Sequence, residues 1–283
     1  MEKDLQLPIE NLEGVLLLPG RLNGQTGRWV LDTGSCHSLA NQALCPAADS
    51  PAKEASVYNG GLQKAQLFSG AADVEIGPLQ LPGHPMALLD LTYVEKELHI
   101  LRPEMVLLGT LGMDILRRRV LRLDYAANRA VLNPSDPFPT REEIPLKLAG
   151  NAPTVSASIA GREGRFLVDT GATACLADRS FADKSWPLLE KQRQIYQLPE
   201  LILGSRVYQN LPVVLDDTAA IEVLPLDGVL GYPILSAQLV ELDFPRRRMR
   251  LGPKYSDESL KICRRFFFEP AALFCQLTMP SYI

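Results

Sequence analysis

Hydrophobic positions fall in short runs of β-branched and aliphatic residues, broken by Gly, Pro and Asn, at 29–31, 72–76, 120–123, 166–168, 211–215 and 238–242. Runs of this length between turn-forming residues predict many short strands, as in a sandwich or barrel. Helix is expected only in two brief segments, 113–118 and 232–236, each directly after a Leu-Gly. Between the two groups of strands, residues 133–140 are rich in proline. Such a stretch cannot continue a helix or a central strand, so it reads as a linker.

The pattern repeats. Residues 22–34 align without a gap on 159–171, an offset of 137 from Asp32 to Asp169. The shared elements are an apolar residue, a Gly-bounded turn, an aromatic (Trp29, Phe166), two aliphatics and Asp-Thr-Gly. Downstream, 109–116 align on 228–235, and Leu123-Asp124-Tyr125 on Leu242-Asp243-Phe244, at an offset of 119. A weaker match pairs Ile76-Gly77 with Leu203-Gly204. The chain therefore holds two copies of one unit, and the first has the longer stretch between its Asp-Thr-Gly and its Leu-Gly. The implied organisation is a first lobe at 1–133, a linker at 134–149, a second lobe at 150–252 and a tail at 253–283.

The chemistry concentrates at the two Asp-Thr-Gly triplets. A buried strand would deliver each aspartate to a sharp turn, where Thr ties the turn down by hydrogen bonding and Gly lets the backbone approach its twin. Two carboxylates brought within hydrogen-bond reach cannot both ionise freely, so the pair holds one proton over a range of acidic pH. That supplies a general base and a general acid for hydrolysis through an activated water. Other chemistries find little support. Five cysteines lie scattered without a CxxC pair, which indicates neither a disulfide framework nor a zinc site. The three histidines (His37, His84, His99) have no partner at a recognisable spacing, and no Walker A, GxGxxG or HExxH element is present. With 29 basic and 33 acidic residues, the net charge of −4 gives no reason to expect a nucleic acid or an anionic membrane. Arg117-Arg118-Arg119 and Arg246-Arg247-Arg248 read as solvated rims.

In these motifs the sequence resembles a single-chain aspartic protease made of two retropepsin-like lobes, over residues 12–133 and 150–252. The resemblance implies an all-β fold: two pseudo-twofold-related closed β-barrel lobes with a catalytic cleft between them. It implies an aspartic endopeptidase with Asp32 and Asp169 as the catalytic dyad. Thr33 and Thr170 would interlock across the axis, Gly34 and Gly171 would permit the approach, and the elements around Gly112 and Gly231 would pack behind the loops. Ser35 would hydrogen-bond the outer oxygen of Asp32, whereas Ala172 cannot do so for Asp169; Asp32 is therefore expected to be the carboxylate that stays ionised. Such proteases cover the cleft with a hairpin flap, and Tyr58, Asn59, Gly60 and Gly61 carry the turn chemistry for its tip. The counterpart region, 186–197, is short, charged and lacks Gly, so one working flap is expected.

The remaining expectations follow from this reading. The enzyme would act as a monomer on peptide or protein substrates with large apolar residues flanking the scissile bond, at acidic to mildly acidic pH, with no metal or organic cofactor. Without a signal-like or membrane-spanning stretch, a cytoplasmic location is expected, with control by something other than a long basic prosegment. The aromatic tail, with Phe266, Phe267, Phe268 and Phe274, is expected to pack on the body, adding strands to an inter-lobe sheet or filling the cleft as an internal inhibitor. Cys36 and Cys175 read as small buried groups beside the two loops. A reading from another class is a protease-like module that binds peptides or proteins without cutting them.

Overall fold

The two-residue turns of the repeat set the first hairpin of each copy. Asn23 (φ 50°) and Gly24 (φ 82°) take the left-handed conformation that joins strands Val15–Leu22 and Gln25–Leu31. Ala160 (φ 49°) and Gly161 (φ 78°) do the same for Ala152–Ile159 and Arg162–Val168. The computed structural model describes residues 3–45, 53–58, 62–217, 226–255 and 276–278. The fold is predominantly β, and the six predicted runs all lie inside strands.

In the first half, Val15–Leu22 pairs with Gln25–Leu31, which runs parallel to Leu107–Leu111. Leu107–Leu111 pairs with Leu39–Asn41, this with Leu79–Leu89, and this with Leu62–Ile76. Leu62–Ile76 returns to Val15–Leu22 and closes a six-strand barrel. Trp29 is fully buried among its aliphatic side chains. In the second half, Ala152–Ile159, Arg162–Val168, Gly228–Leu230, Cys175–Asp178, Arg206–Asp216 and Ile195–Leu203 pair in that order. Ser158 and Ile159 also pair with Ile202 and Leu201. Phe166 is the buried counterpart of Trp29.

A six-stranded sheet joins the halves, in the order Leu5–Pro8, Arg129–Leu132, Val120–Asp124, Gln238–Asp243, Arg248–Lys254, Ile144–Pro145. The central pair, Val120–Asp124 with Gln238–Asp243, brings one strand from each copy. The proline-rich linker is fastened to this sheet. Asp136 accepts a hydrogen bond from Arg122 at 2.7 Å, and the Phe138 ring lies 5.4 Å from the Arg122 guanidinium and 5.1 Å from that of Arg250.

Two brief helices, Met113–Leu116 and Tyr232–Leu235, follow the Leu-Gly elements as expected. A third, Thr92–Leu101, departs from the expectation of scarce helix. Its signals were present: Asp90 accepts from the backbone N–H and hydroxyl of Thr92, and Leu91, Val94 and Leu98 form a buried stripe at helical spacing. The length difference between the copies includes a strand of 15 residues at Leu62–Ile76 against 9 at Ile195–Leu203.

The hairpin expected to be the flap forms from Lys53–Tyr58 and Leu62–Ile76. Tyr58 ends its first strand, and Asn59, Gly60 and Gly61 lie outside the described residues. A shorter hairpin, Leu188–Glu190 with Ile195–Leu203, does form in the second half, with Leu188 and Leu189 exposed. Of the tail, Gln276–Thr278 pairs antiparallel with Ser56, Val57 and Tyr58. The described tail strand therefore extends the first-half hairpin and not the sheet that joins the halves; Phe266, Phe267, Phe268 and Phe274 lie outside the described residues. Among the described residues no helix is long and apolar enough to cross a membrane.

Candidate functional site

Strand pairing carries the two aspartates to one place. Gln25–Leu31 ends at Asp32, whose backbone N–H donates to the Leu111 carbonyl at 3.1 Å; Arg162–Val168 ends at Asp169, whose N–H donates to Leu230 at 3.1 Å. Each loop is held from behind by the next element. Met113 N–H donates to the Ser35 carbonyl at 2.9 Å and Tyr232 N–H to Ala172 at 2.8 Å. Gly112 and Gly231 are required there, since a Cβ would sit 2.6 Å from the His37 carbonyl oxygen and 2.1 Å from that of Ala174.

Thr33 and Thr170 tie the loops together. The Thr33 hydroxyl donates to the Val168 carbonyl at 2.7 Å and accepts from the Thr170 N–H at 3.0 Å. The Thr170 hydroxyl donates to Leu31 at 2.8 Å and accepts from the Thr33 N–H at 3.0 Å. All four groups are buried, so the bonds act at low dielectric, where leaving any one unmade is costly.

The carboxylates lie against each other's glycines. A Cβ on Gly34 would stand 2.4 Å from Asp169 Oδ2, and one on Gly171 would stand 2.8 Å from Asp32 Cγ. Both aspartates are 1% exposed. The Ser35 N–H donates to Asp32 Oδ1 at 3.0 Å, and the Gly171 N–H donates to Asp169 Oδ1 at 2.8 Å. Asp32 Oδ2 is buried without a donor from the protein. Its neighbour is a second carboxyl, which can bond to it only when one of the two holds a proton.

The expected role of Ser35 is corrected here. Its hydroxyl donates to the His37 carbonyl at 2.7 Å, leaving only its backbone N–H for Asp32. Ala172, fully buried, packs beside the second loop. Burial, and after it the charge of Asp169, pushes the Asp32 carboxyl well above the usual carboxylate range. A raised proton affinity beside a second buried carboxyl is what a pair sharing one proton has.

The cysteines beside the loops are protonated. Burial pushes the Cys36 thiol up to about 11 and the Cys175 thiol up to about 12. Cys175 matches Ser38 of the first copy: its sulfur accepts from Gly231 N–H at 3.4 Å, as the Ser38 hydroxyl accepts from Gly112 N–H at 2.9 Å. The arginine runs are partly tied down, Arg246 and Arg248 to Asp243 and Arg117 to Asn151.

Sequence reasoning missed a pocket against Asp32. It is lined by Val30, Leu91, Val94, Leu107, Thr110 and Gly171, and the helix Thr92–Leu101 contributes Val94. One signal pointed to it: Thr110 is the single polar side chain in Leu107–Leu111, at the position that holds Val229 in the second copy. Among the described residues no group of three or more His, Cys, Asp or Glu side chains is placed to hold a metal ion. No protein-family model matches the chain, and no curated protein matches it.

Proposed function

We propose that the chain is an aspartic endopeptidase, acting as a monomer without a cofactor and hydrolysing peptide bonds between Asp32 and Asp169. The observation that carries this reading is the pair of buried carboxyls. Each lies against the other's loop glycine, and Asp32 is pushed up by burial and by Asp169. In the reaction the ionised carboxylate takes a proton from a water, whose oxygen attacks the scissile carbonyl carbon. The protonated carboxyl gives its proton to the carbonyl oxygen, forming a neutral gem-diol. Collapse of the diol breaks the C–N bond: one hydroxyl proton returns to the dyad, and the amine leaves with the proton first taken from water.

The finer architecture belongs to the same proposal: two closed barrels related by a pseudo-twofold axis, with the substrate groove between them. It is supported by the cyclic order of pairings in the second half, by the reciprocal bonds of Thr33 and Thr170, and by Arg122 meeting its own counterpart Glu241 in the joining sheet. The hairpin of Lys53–Tyr58 and Leu62–Ile76 would cover the substrate, gripping its backbone as a flap.

A peptide-library digest at several pH values, run with wild type, Asp32→Asn and Asp169→Asn, tests the proposal. Cleavage is expected at acidic to mildly acidic pH and loss of cleavage in both variants. Stabilisation of wild type, but not of the variants, by a statine-type transition-state mimic distinguishes the enzyme from a module that only binds peptides. Cleavage undiminished in either variant would overturn the assignment.

A further inference from the structure

We infer that the segment Gln276–Thr278 is a built-in competitor of peptide for the backbone edge of the hairpin formed by Lys53–Tyr58 and Leu62–Ile76, and that it is displaced when peptide binds. The inference rests on the protease reading above and names a regulation of that site.

A hairpin grips an extended peptide through the N–H and C=O groups left along an outer edge. Lys53–Tyr58 has two edges. One is taken by its partner strand, in register from Lys53 opposite Leu67 to Tyr58 opposite Leu62. Gln276–Thr278 takes the other, antiparallel, with Gln276 opposite Tyr58, Leu277 opposite Val57 and Thr278 opposite Ser56. The chain thus holds an extended segment of itself in the way a hairpin holds a peptide. The half it covers is the half next to the turn. That part of the hairpin stands clear of the barrel, since pairing with Leu79–Leu89 begins only at Phe68. With the tail strand in place, Ser56, Val57 and Tyr58 have no edge left for a substrate backbone.

Three features make this occupant displaceable. Its ladder runs over three residue pairs, against six on the other edge. Pro280 follows two residues later and has no N–H to give, which limits how far the ladder can extend. The strand is also tethered. Tyr255, the last described residue before it, is anchored on the body: its N–H donates to the Ala237 carbonyl at 2.9 Å and its hydroxyl to Asp124 at 2.8 Å. Residues 256–275 can span up to about 70 Å, so the strand can leave the edge without leaving the molecule. It returns at an effective concentration on the order of millimolar. Substrate therefore competes with a local ligand for one row of backbone groups. Such competition raises KM and leaves the chemistry of the bound complex, and so kcat, as it was.

The experiment measures kcat and KM separately for one peptide substrate, in the full-length wild type and in full-length Leu277→Pro/Thr278→Pro. Of two consecutive strand residues one turns its N–H toward the neighbouring strand, so the double change removes a bond in either phase. Among the described residues this strand pairs with Lys53–Tyr58 alone, so pairing elsewhere is left in place. KM should fall about fivefold, the range of one or two backbone hydrogen bonds, with kcat unchanged. Amide hydrogen exchange should rise at Ser56, Val57 and Tyr58 and stay as in wild type along Val15–Leu22. A synthetic peptide of residues 273–281, added to the variant at a concentration on the order of millimolar, should raise KM again without changing kcat. Unchanged KM or exchange in the variant, a fall in kcat, or no effect of the added peptide overturns the inference, while cleavage itself leaves the protease reading standing. Cleavage by the variant alone supports the inference, and cleavage by neither protein overturns both.

Discussion

Arg122 and Glu241 occupy matching positions of the two copies, 119 residues apart, and pair with each other across the joining sheet, Nη2 to Oε2 at 2.7 Å. Glu241 is 1% exposed; its other oxygen accepts from Arg250 Nε at 3.0 Å. If the two copies had kept the same residue here, like charges would face at the centre of the sheet. Opposite charges instead make each half the complement of the other.

Glu241→Arg should therefore destabilise the chain by about 3–5 kcal/mol, because it leaves buried guanidinium groups facing one another. Combining it with Arg122→Glu should recover part of that loss. Equilibrium unfolding in denaturant, with the double-mutant cycle, gives the coupling. A purely additive result would show that the pair contributes nothing to joining the halves.

Thr33→Val removes the hydroxyl that serves Val168 and Thr170 at once. Two buried groups lose their partners, which should cost about 2–4 kcal/mol, while Thr33→Ser keeps the oxygen and should recover most of it. Thermal unfolding of the three proteins checks this. Equal losses for Val and Ser would place the effect in packing and not in the hydrogen bonds.

The elevated Asp32 carboxyl gives a pH dependence with a definite sign. Burial and the Asp169 charge raise its folded-state pKa above the ordinary value, so the folded chain holds a proton that the unfolded chain has released. Its contribution to stability is present at acidic pH and is lost as pH rises from the usual carboxylate range through the raised pKa. Asp32→Asn should accordingly be more stable than wild type near neutral pH, with the gap narrowing on acidification, alongside loss of cleavage. A Tm difference that widens as pH falls would contradict the raised proton affinity of this carboxyl.

Gly34→Ala drives a methyl into the Asp169 carboxyl, which its bond from the Gly171 N–H holds in a loop fixed by the threonine bonds. The loops must separate to admit it, so a large loss of kcat is expected with retention of the β fold by circular dichroism. Activity within about twofold of wild type would mean that the loops yield more easily than a packed interior does.

The strands were legible because Gly, Pro and Asn punctuate short apolar runs, and the doubled Asp-Thr-Gly marked Asp32 and Asp169. The helix Thr92–Leu101 was not legible, although its buried stripe at Leu91, Val94 and Leu98 has helical period, because three apolar positions in so short a segment fit a strand-rich pattern as well until packing fixes them. The partner of the Ser35 hydroxyl was not legible for a different reason. A hydroxyl next to an aspartate can turn to either of two acceptors, and only the position of the His37 carbonyl decides between them.

The amino-acid order alone determined the duplication, the turn chemistry of each hairpin and the placement of an aspartate at the end of a buried strand, since these depend on residues close together in the chain. The tertiary structure decided which groups 137 residues apart exchange hydrogen bonds, that the Asp32 carboxyl is raised by burial and by Asp169, and that Thr110 is left without a partner in the protein beside Asp32. Those outcomes are fixed by burial and by contacts made across the two copies. A carboxyl's proton affinity depends on what surrounds it in space, and no local stretch of sequence carries that information.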